Sequence, residues 1–279
     1  MRKKLFFIVV STLVAAVLLF SACGQSTPSS SPPPSQPAST AEPVVLKVGA
    51  TEAPHAEILE QIKPLLAEQN ITLDIVVFTD YVLPNTALSD GDLDANFFQH
   101  LPYLEDYNAK NNATLVSAAG IHVEPMGIYP GKQTSLNPIA EGALIGLPND
   151  ATNEGRALLL LQSLGLITLK EDAGLEATTL DIAENPHNLT FSELAAEQLP
   201  ASLPDLDYAV INGNYAIAAG IGDTALDAEG GESPYVNIVA VRAGDEARPE
   251  IQALVKALSS DTVRTFINET YDGSVVPVF

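Results

Sequence analysis

Three features of the sequence predict an α/β fold of two lobes, joined by two crossover segments around a cleft. Short, apolar, β-branched runs alternate with stretches of helical periodicity from Val44 onward, the pattern of parallel α/β units. After Met126 the alternation starts afresh without any sequence repeat, so a second lobe of the same class follows the first. Val236 to Val241 then supplies a strand apolar enough to cross back, ahead of two final helices.

The elements justify themselves in order. Val44 to Ala50 reads as a buried strand, and Pro54-His55 opens a helix with Ile58, Leu59, Ile62, Leu65 and Leu66 on one face, where Pro64 is a candidate kink. Ile71 to Phe78 is a second strand. A helix near Asn85 to Asp90, a short strand near Ala95, a helix from Leu101 to Lys110 and a strand from Thr114 to Gly120 complete the first set. The second set comprises a strand at Leu144 to Leu147, a helix from Asn153, an extended piece at Leu189 to Phe191, a helix at Ser192 to Gln198 and a strand at Tyr208 to Ile211. Helices at Arg248 to Leu258 and Thr262 to Tyr271 end the chain, and ligands of open α/β sheets sit at the carboxyl ends of the strands.

The first residues read as an address. Arg2, Lys3 and Lys4 precede an apolar run from Leu5 to Phe20, and Ser21-Ala22-Cys23-Gly24 follows. The only cysteine of the chain, Cys23, lies at that edge, and the segment resembles a bacterial lipobox, with Phe20 departing from the usual aliphatic residue. An uncleaved membrane anchor is the competing reading. Two acyl chains on Cys23 would hold the protein at the extracytoplasmic face of the cell membrane. Ser26 to Pro43 is rich in Ser and Pro and has no apolar face to bury, so it is expected to be a tether of roughly 55 Å if extended at about 3.1 Å per residue.

The stretch Pro148-Asn149-Asp150-Ala151-Thr152-Asn153-Glu154-Gly155-Arg156 joins a strand to a helix. Its Asp, Thr and Asn are N-cap candidates, and the free N–H groups of a helix start favour an anion. Arg156 is mildly disfavoured there by the helix dipole, so something negative should stand nearby. Either Asp150 or Glu154 compensates it locally, or Arg156, bidentate, and Asn153 receive the carboxylate of a small ligand.

Composition excludes other classes. The net charge of -22 repels phosphates, which argues against nucleic acid. The four histidines, His55, His100, His122 and His187, show no ligand spacing such as i, i+4, which argues against a metal receptor. No Gly-x-Ser-x-Gly elbow occurs and no thiol remains once Cys23 is lipidated, so an enzyme is not expected, and no cofactor is implied. Gly220 to Ala225 fits a dinucleotide fingerprint only superficially, because it follows a helix, and Asp223 to Glu232 reads as a solvated acidic loop.

Taken together, the blocks Val48-Gly49-Ala50-Thr51 with Pro54-His55, Asp80 to Asn85, Asp94 to His100, Glu124-Pro125-Met126-Gly127, Pro148 to Arg156, Glu184-Asn185-Pro186, Val210-Ile211-Asn212 and Ser233 to Asn237 make the chain similar to the bacterial methionine-binding lipoproteins, the solute receptors of methionine ABC importers, from Leu46 to Phe279. The resemblance implies a periplasmic-binding-protein-like fold. The expected organisation is residues 1–22 as signal peptide, 23–43 as lipid-anchored linker, 44–124 as the first lobe, 125–236 as the second and 237–279 as crossover and return. The resemblance implies that Asn153 and Arg156 meet the ligand carboxylate, that Asn212 and Asn237 hold its polar end, and that Tyr81, Phe98, His100 and Tyr103 form the side-chain pocket, with Phe97 in the core. Partners would be methionine and a membrane permease with its ATPase; another small apolar amino acid, a Met-containing dipeptide or a metal ion are the alternatives. Glu124 would brace the crossover or reach an ammonium, Asn214 would be a turn residue, and Glu52, if it faces the cleft, would alter specificity.

Overall fold

The computed structural model describes residues 42–230 and 233–279. The expected signal peptide, Cys23 and nearly all of the tether lie outside the described residues.

The chain begins with β1 (Val44–Thr51), a π-type turn (Glu52–Ala56) and α1 (Glu57–Ala67), followed by β2 (Ile71–Phe78), α2 (Leu83–Asp90), β3 (Ala95–His100), α3 (Leu101–Asn111) and β4 (Leu115–Val123). It continues with β5 (Gly127–Pro130), β6 (Leu144–Pro148), α4 (Ala151–Ser163), β7 (Thr168–Leu169), β8 (Ile182–Glu184), β9 (Thr190–Leu194), α5 (Leu199–Ser202), β10 (Tyr208–Ile211), α6 (Gly213–Ala218) and β11 (Asp227–Ala228). Then come β12 (Val236–Arg242), α7 (Pro249–Leu258), α8 (Asp261–Tyr271) and β13 (Val276–Pro277).

One sheet has the order β13-β4-β12-β3-β1-β2 and the other β11-β5-β10-β6-β9. Residues 124–126 and, among the described residues, 229–230 with 233–235 therefore belong to the two passages between sheets. The wholly parallel sheets expected from the alternation are mixed instead. β1 pairs parallel with β2 and β3, but β12 arrives from the second lobe and runs antiparallel to β3 and β4. Ser192 to Gln198 is not a helix: Thr190–Leu194 pairs parallel with β6, and only a 3-10 turn (Ala196–Gln198) follows. Here sheet pairing overrides the helical spacing of a short apolar run.

Each lobe has its own core. Leu46, Val48, Ile58, Leu59, Ile62, Phe97, Val239, Ile251, Leu254 and Ile267 close the first, and Met126, Ile128, Ile145, Leu147, Leu158, Leu161, Tyr208 and Val210 close the second. Pro64 is accommodated inside α1. The carboxyl ends of β3, β6 and β10 deliver His100, the start of α4 and Asn212 to the space between the sheets.

Gly155 explains how α4 packs so close to its neighbour. A Cβ there would collide with the carbonyl oxygen of Leu175 in the 3-10 turn Gly174–Glu176. Gly155→Ala should therefore lower stability by about 1–3 kcal/mol, the usual cost of overpacking, as read by urea denaturation. An unchanged midpoint would contradict this close approach.

Candidate functional site

The site is assembled from a chain of hydrogen bonds whose polarity is set at one end. Asp150 caps α4, accepting from the Asn153 backbone N–H at 3.0 Å and from Asn153 Nδ2 at 2.9 and 3.0 Å. A carboxylate only accepts, so the Asn153 amide must turn its Oδ1 the other way. That oxygen accepts from His100 Nε2 at 3.1 Å and from Asn212 Nδ2 at 2.8 Å. His100 Nδ1 in turn accepts from the Tyr103 N–H at 3.2 Å, which fixes the Nε2–H tautomer of a neutral ring. Burial, aided by Arg156, pulls the His100 pKa down to about 3. Asn212 is left with Oδ1 buried and without a partner among the described residues.

Tyr81, Phe98, Gln99, His100, Tyr103, Asn153 and Asn212 line one cavity. Tyr81, Phe98 and Tyr103 form its aromatic wall, with ring centroids 5.9 Å apart in each pair. Phe97 turns the opposite way into the core, as strand alternation requires. Three bonds hold the two lobes together around this space: His100 to Asn153, Tyr81 Oη to Asn214 Oδ1 at 2.5 Å, and Tyr215 Oη to the Thr79 carbonyl at 3.2 Å. Asn214 is thus an interlobe latch and not a simple turn residue. Tyr215, which stacks on Tyr81 at 4.9 Å, was not legible as part of the site. Gln99 was missed as well; it is fixed by Asn85 and Asn96, bonds that required tertiary proximity.

Arg156 is 3% exposed and is held on three sides. Its Nε donates to Glu229 Oε1 at 2.9 Å and its Nη2 to Glu229 Oε2 at 2.5 Å. Nη2 also donates to the Glu124 carbonyl at 2.8 Å, and the Tyr235 ring lies 4.4 Å from the guanidinium carbon. Only Nη1 has no bond to another described residue. Two expectations are corrected here. Neither Asp150 nor Glu154 compensates Arg156, because Asp150 caps the helix and Glu154 accepts from the Thr179 N–H. The paired edge suited to a bidentate guest is taken by Glu229, a member of the acidic run read as solvated. Arg156 itself is not among the residues lining the cavity; it stands beside it, over the Tyr235 ring, whose centroid lies 5.0 Å from that of His100. Asn153 is likewise spent on Asp150, His100 and Asn212, so it organises the cavity polarity.

Asn237 stands behind the cavity: its Oδ1 faces His55 Nε2 at 3.2 Å, and it is not a lining residue. Glu52 borders a separate groove with Thr79, Glu197, Asn214 and Tyr215, outside the lining of the cavity.

His55, His122 and Glu124 bring three metal-ligand atoms within 4.8 Å of one another, a grouping that sequence spacing did not foretell. However, His122 Nε2 and Glu124 Oε1 are only 2.6 Å apart, a hydrogen-bond length. Two ligands of one tetrahedral zinc stand roughly 3.3 Å apart, so as placed the pair is hydrogen-bonded and not spaced for an ion. Burial drives the His55 pKa down to about 4. Burial pushes Glu124 up, but His55, His122 and Arg156 outweigh it and hold its carboxyl below the usual range.

His55 and His100 are buried neutral, with folded values of about 4 and about 3 against an ordinary 6.5. The unfolded chain binds more protons in that interval, so their contribution is present above pH 6.5 and lost as pH falls toward 4 and 3. Each should remove up to about 1.4 kcal/mol per pH unit inside its window. Urea unfolding at a series of pH values checks this, and flat stability from neutral pH to the lower limit would contradict the neutral assignment.

Residues 46–279 match the family model described as NlpA lipoprotein. The chain is 42% identical to the methionine-binding lipoprotein MetQ of Bacillus subtilis, covering 83% of this chain and 87% of the relative. It is 40% identical to the D-methionine-binding lipoprotein MetQ of Escherichia coli, covering 84% and 89%. A nutrient-binding protein from Burkholderia cenocepacia, solved bound to methionine, superposes with a TM-score of 0.81 at 44% identity, covering 84% of this chain and 100% of that one. With these matches along the whole described body, the chain belongs to the NlpA lipoprotein family.

Proposed function

We propose that the protein is the solute receptor of an ABC importer and captures methionine between its two lobes. The observation that carries this reading is the pairing, at one cavity, of an unpartnered buried acceptor on Asn212 with three aromatic rings. The ammonium of an amino acid satisfies Asn212 Oδ1, and its carboxylate reaches Arg156 Nη1. Its thioether packs on Tyr81, Phe98 and Tyr103, where each sulfur–aromatic contact contributes about 0.3–1.5 kcal/mol. The Bacillus and Escherichia relatives are named for methionine and D-methionine binding, and the Burkholderia neighbour carries methionine.

Capture involves no covalent step. The bonds from Tyr81 to Asn214 and from Tyr215 to Thr79 join opposite lobes, so they break on opening and reform on closure, which is hinge capture. A membrane permease then receives the ligand as the lobes separate. Cys23 carries the lipid anchor, and the tether lets the body reach that permease. No helix among the described residues is long and apolar enough to cross a membrane.

Mass spectrometry of ligand released from the purified protein should find methionine, and calorimetry should record binding of L-methionine, with D-methionine as the stereochemical comparison. Absence of released methionine together with no binding of either enantiomer would refute the assignment. Asn212→Ala, which removes one hydrogen bond to a charged group of about 1.5–3 kcal/mol, should raise Kd roughly 10- to 150-fold. Arg156→Ala should raise it more than about 100-fold by leaving the guest carboxylate unpaired.

A further inference from the structure

In the reading proposed above a guest carboxylate meets Arg156, yet the charge of Arg156 is already matched. Glu229 lies across its Nε and Nη2 at 2.5 to 3.1 Å. Glu229 is itself fixed: its Oε2 accepts from the Met126 N–H at 3.0 Å, and its own N–H donates to the Met126 carbonyl at 2.9 Å. The carboxylate therefore sits on a built seat between the two passages of chain that join the sheets.

The other acidic groups close to the cavity are the buried Glu124 and the half-buried Asp150, with Asp80 and Asp106 acting on Tyr103, while His100 and His55 are neutral. One guanidinium thus stands among several carboxylates. A guest bearing only a carboxylate meets no net positive charge there. A guest bearing an ammonium as well finds Arg156 Nη1 for its acid group and the unpartnered Asn212 Oδ1 for its amine.

Resting on the methionine reading above, we infer that Glu229 is a specificity-setting residue which, by neutralising Arg156, makes the cavity admit zwitterions and reject carboxylates that lack an amine. It acts through Arg156 and is a positioning residue. Replacing it by glutamine removes the charge while keeping an oxygen for the guanidinium, so the freed positive charge should welcome a simple anion.

The test measures Kd for L-methionine and for its desamino analogue, γ-methylthiobutyrate, by calorimetry on the wild-type protein, Glu229→Gln and Glu229→Asp. Wild type should prefer methionine at least about 100-fold, since a buried acceptor left unpaired is strongly discriminating. Glu229→Gln should shrink that ratio at least about tenfold, and Glu229→Asp, which keeps the charge, should preserve it. If Glu229→Gln changes both affinities by one common factor, in either direction, Glu229 is only structural or only a competitor and the inference fails. Equal wild-type affinity for the two compounds overturns it even if Glu229→Gln does not fold. Failure of the wild type to bind methionine sinks the receptor reading first, whereas methionine binding with an unchanged ratio sinks only the role of Glu229.

Discussion

The structure depends on how a buried guanidinium is satisfied. Arg156 rises from the second turn of α4 and meets the Glu124 carbonyl in one passage between the lobes and Glu229 and Tyr235 in the other. Removing such a charge from water costs several kcal/mol and is repaid only by close pairing and complete hydrogen bonding. The same contacts that satisfy it also tie both passages to one helix of the second lobe. The two passages between the lobes consequently share one side chain of α4.

A second order of control runs through neutral groups. Asp150 orients Asn153, Asn153 orients Asn212 and fixes the proton of His100, and each step is enforced by which atom can donate. The result is one unpaired acceptor in an aromatic chamber. A polar orphan of this kind is costly in a folded protein, so its retention fits a group completed by a guest. Glu124 accepts from His122 Nε2 at 2.6 Å and lies 3.3 Å from His55 Nε2, so the two histidines brace the first passage, and Gly213 is needed there because a Cβ would stand 2.8 Å from Glu124 Cβ.

Much of this was legible in the chain. β-branched runs such as Ile71–Phe78 and the Asp150 cap before α4 announce themselves locally, and the order of the motifs carried the family resemblance. What failed was long-range. The partner of Arg156 lies 73 residues away in a run of acidic residues that looks like solvated loop. Asn214 and Tyr215 become a latch only when Tyr81 and Thr79 approach from the other lobe. Ser192 to Gln198 reads locally as a helix, but its first three residues are drawn into a strand beside β6. In each case local preference competes with a contact that exists only after the lobes have formed.

The most direct measurement is a crystal structure of the protein with L-methionine. The account predicts the guest carboxylate on Arg156 Nη1 and the ammonium on Asn212 Oδ1, each at roughly 2.7–3.2 Å, with Glu229 still seated on Nε and Nη2. A complex in which Glu229 has swung away and the ligand holds that paired edge, or in which the ligand lies outside the aromatic chamber, would contradict it.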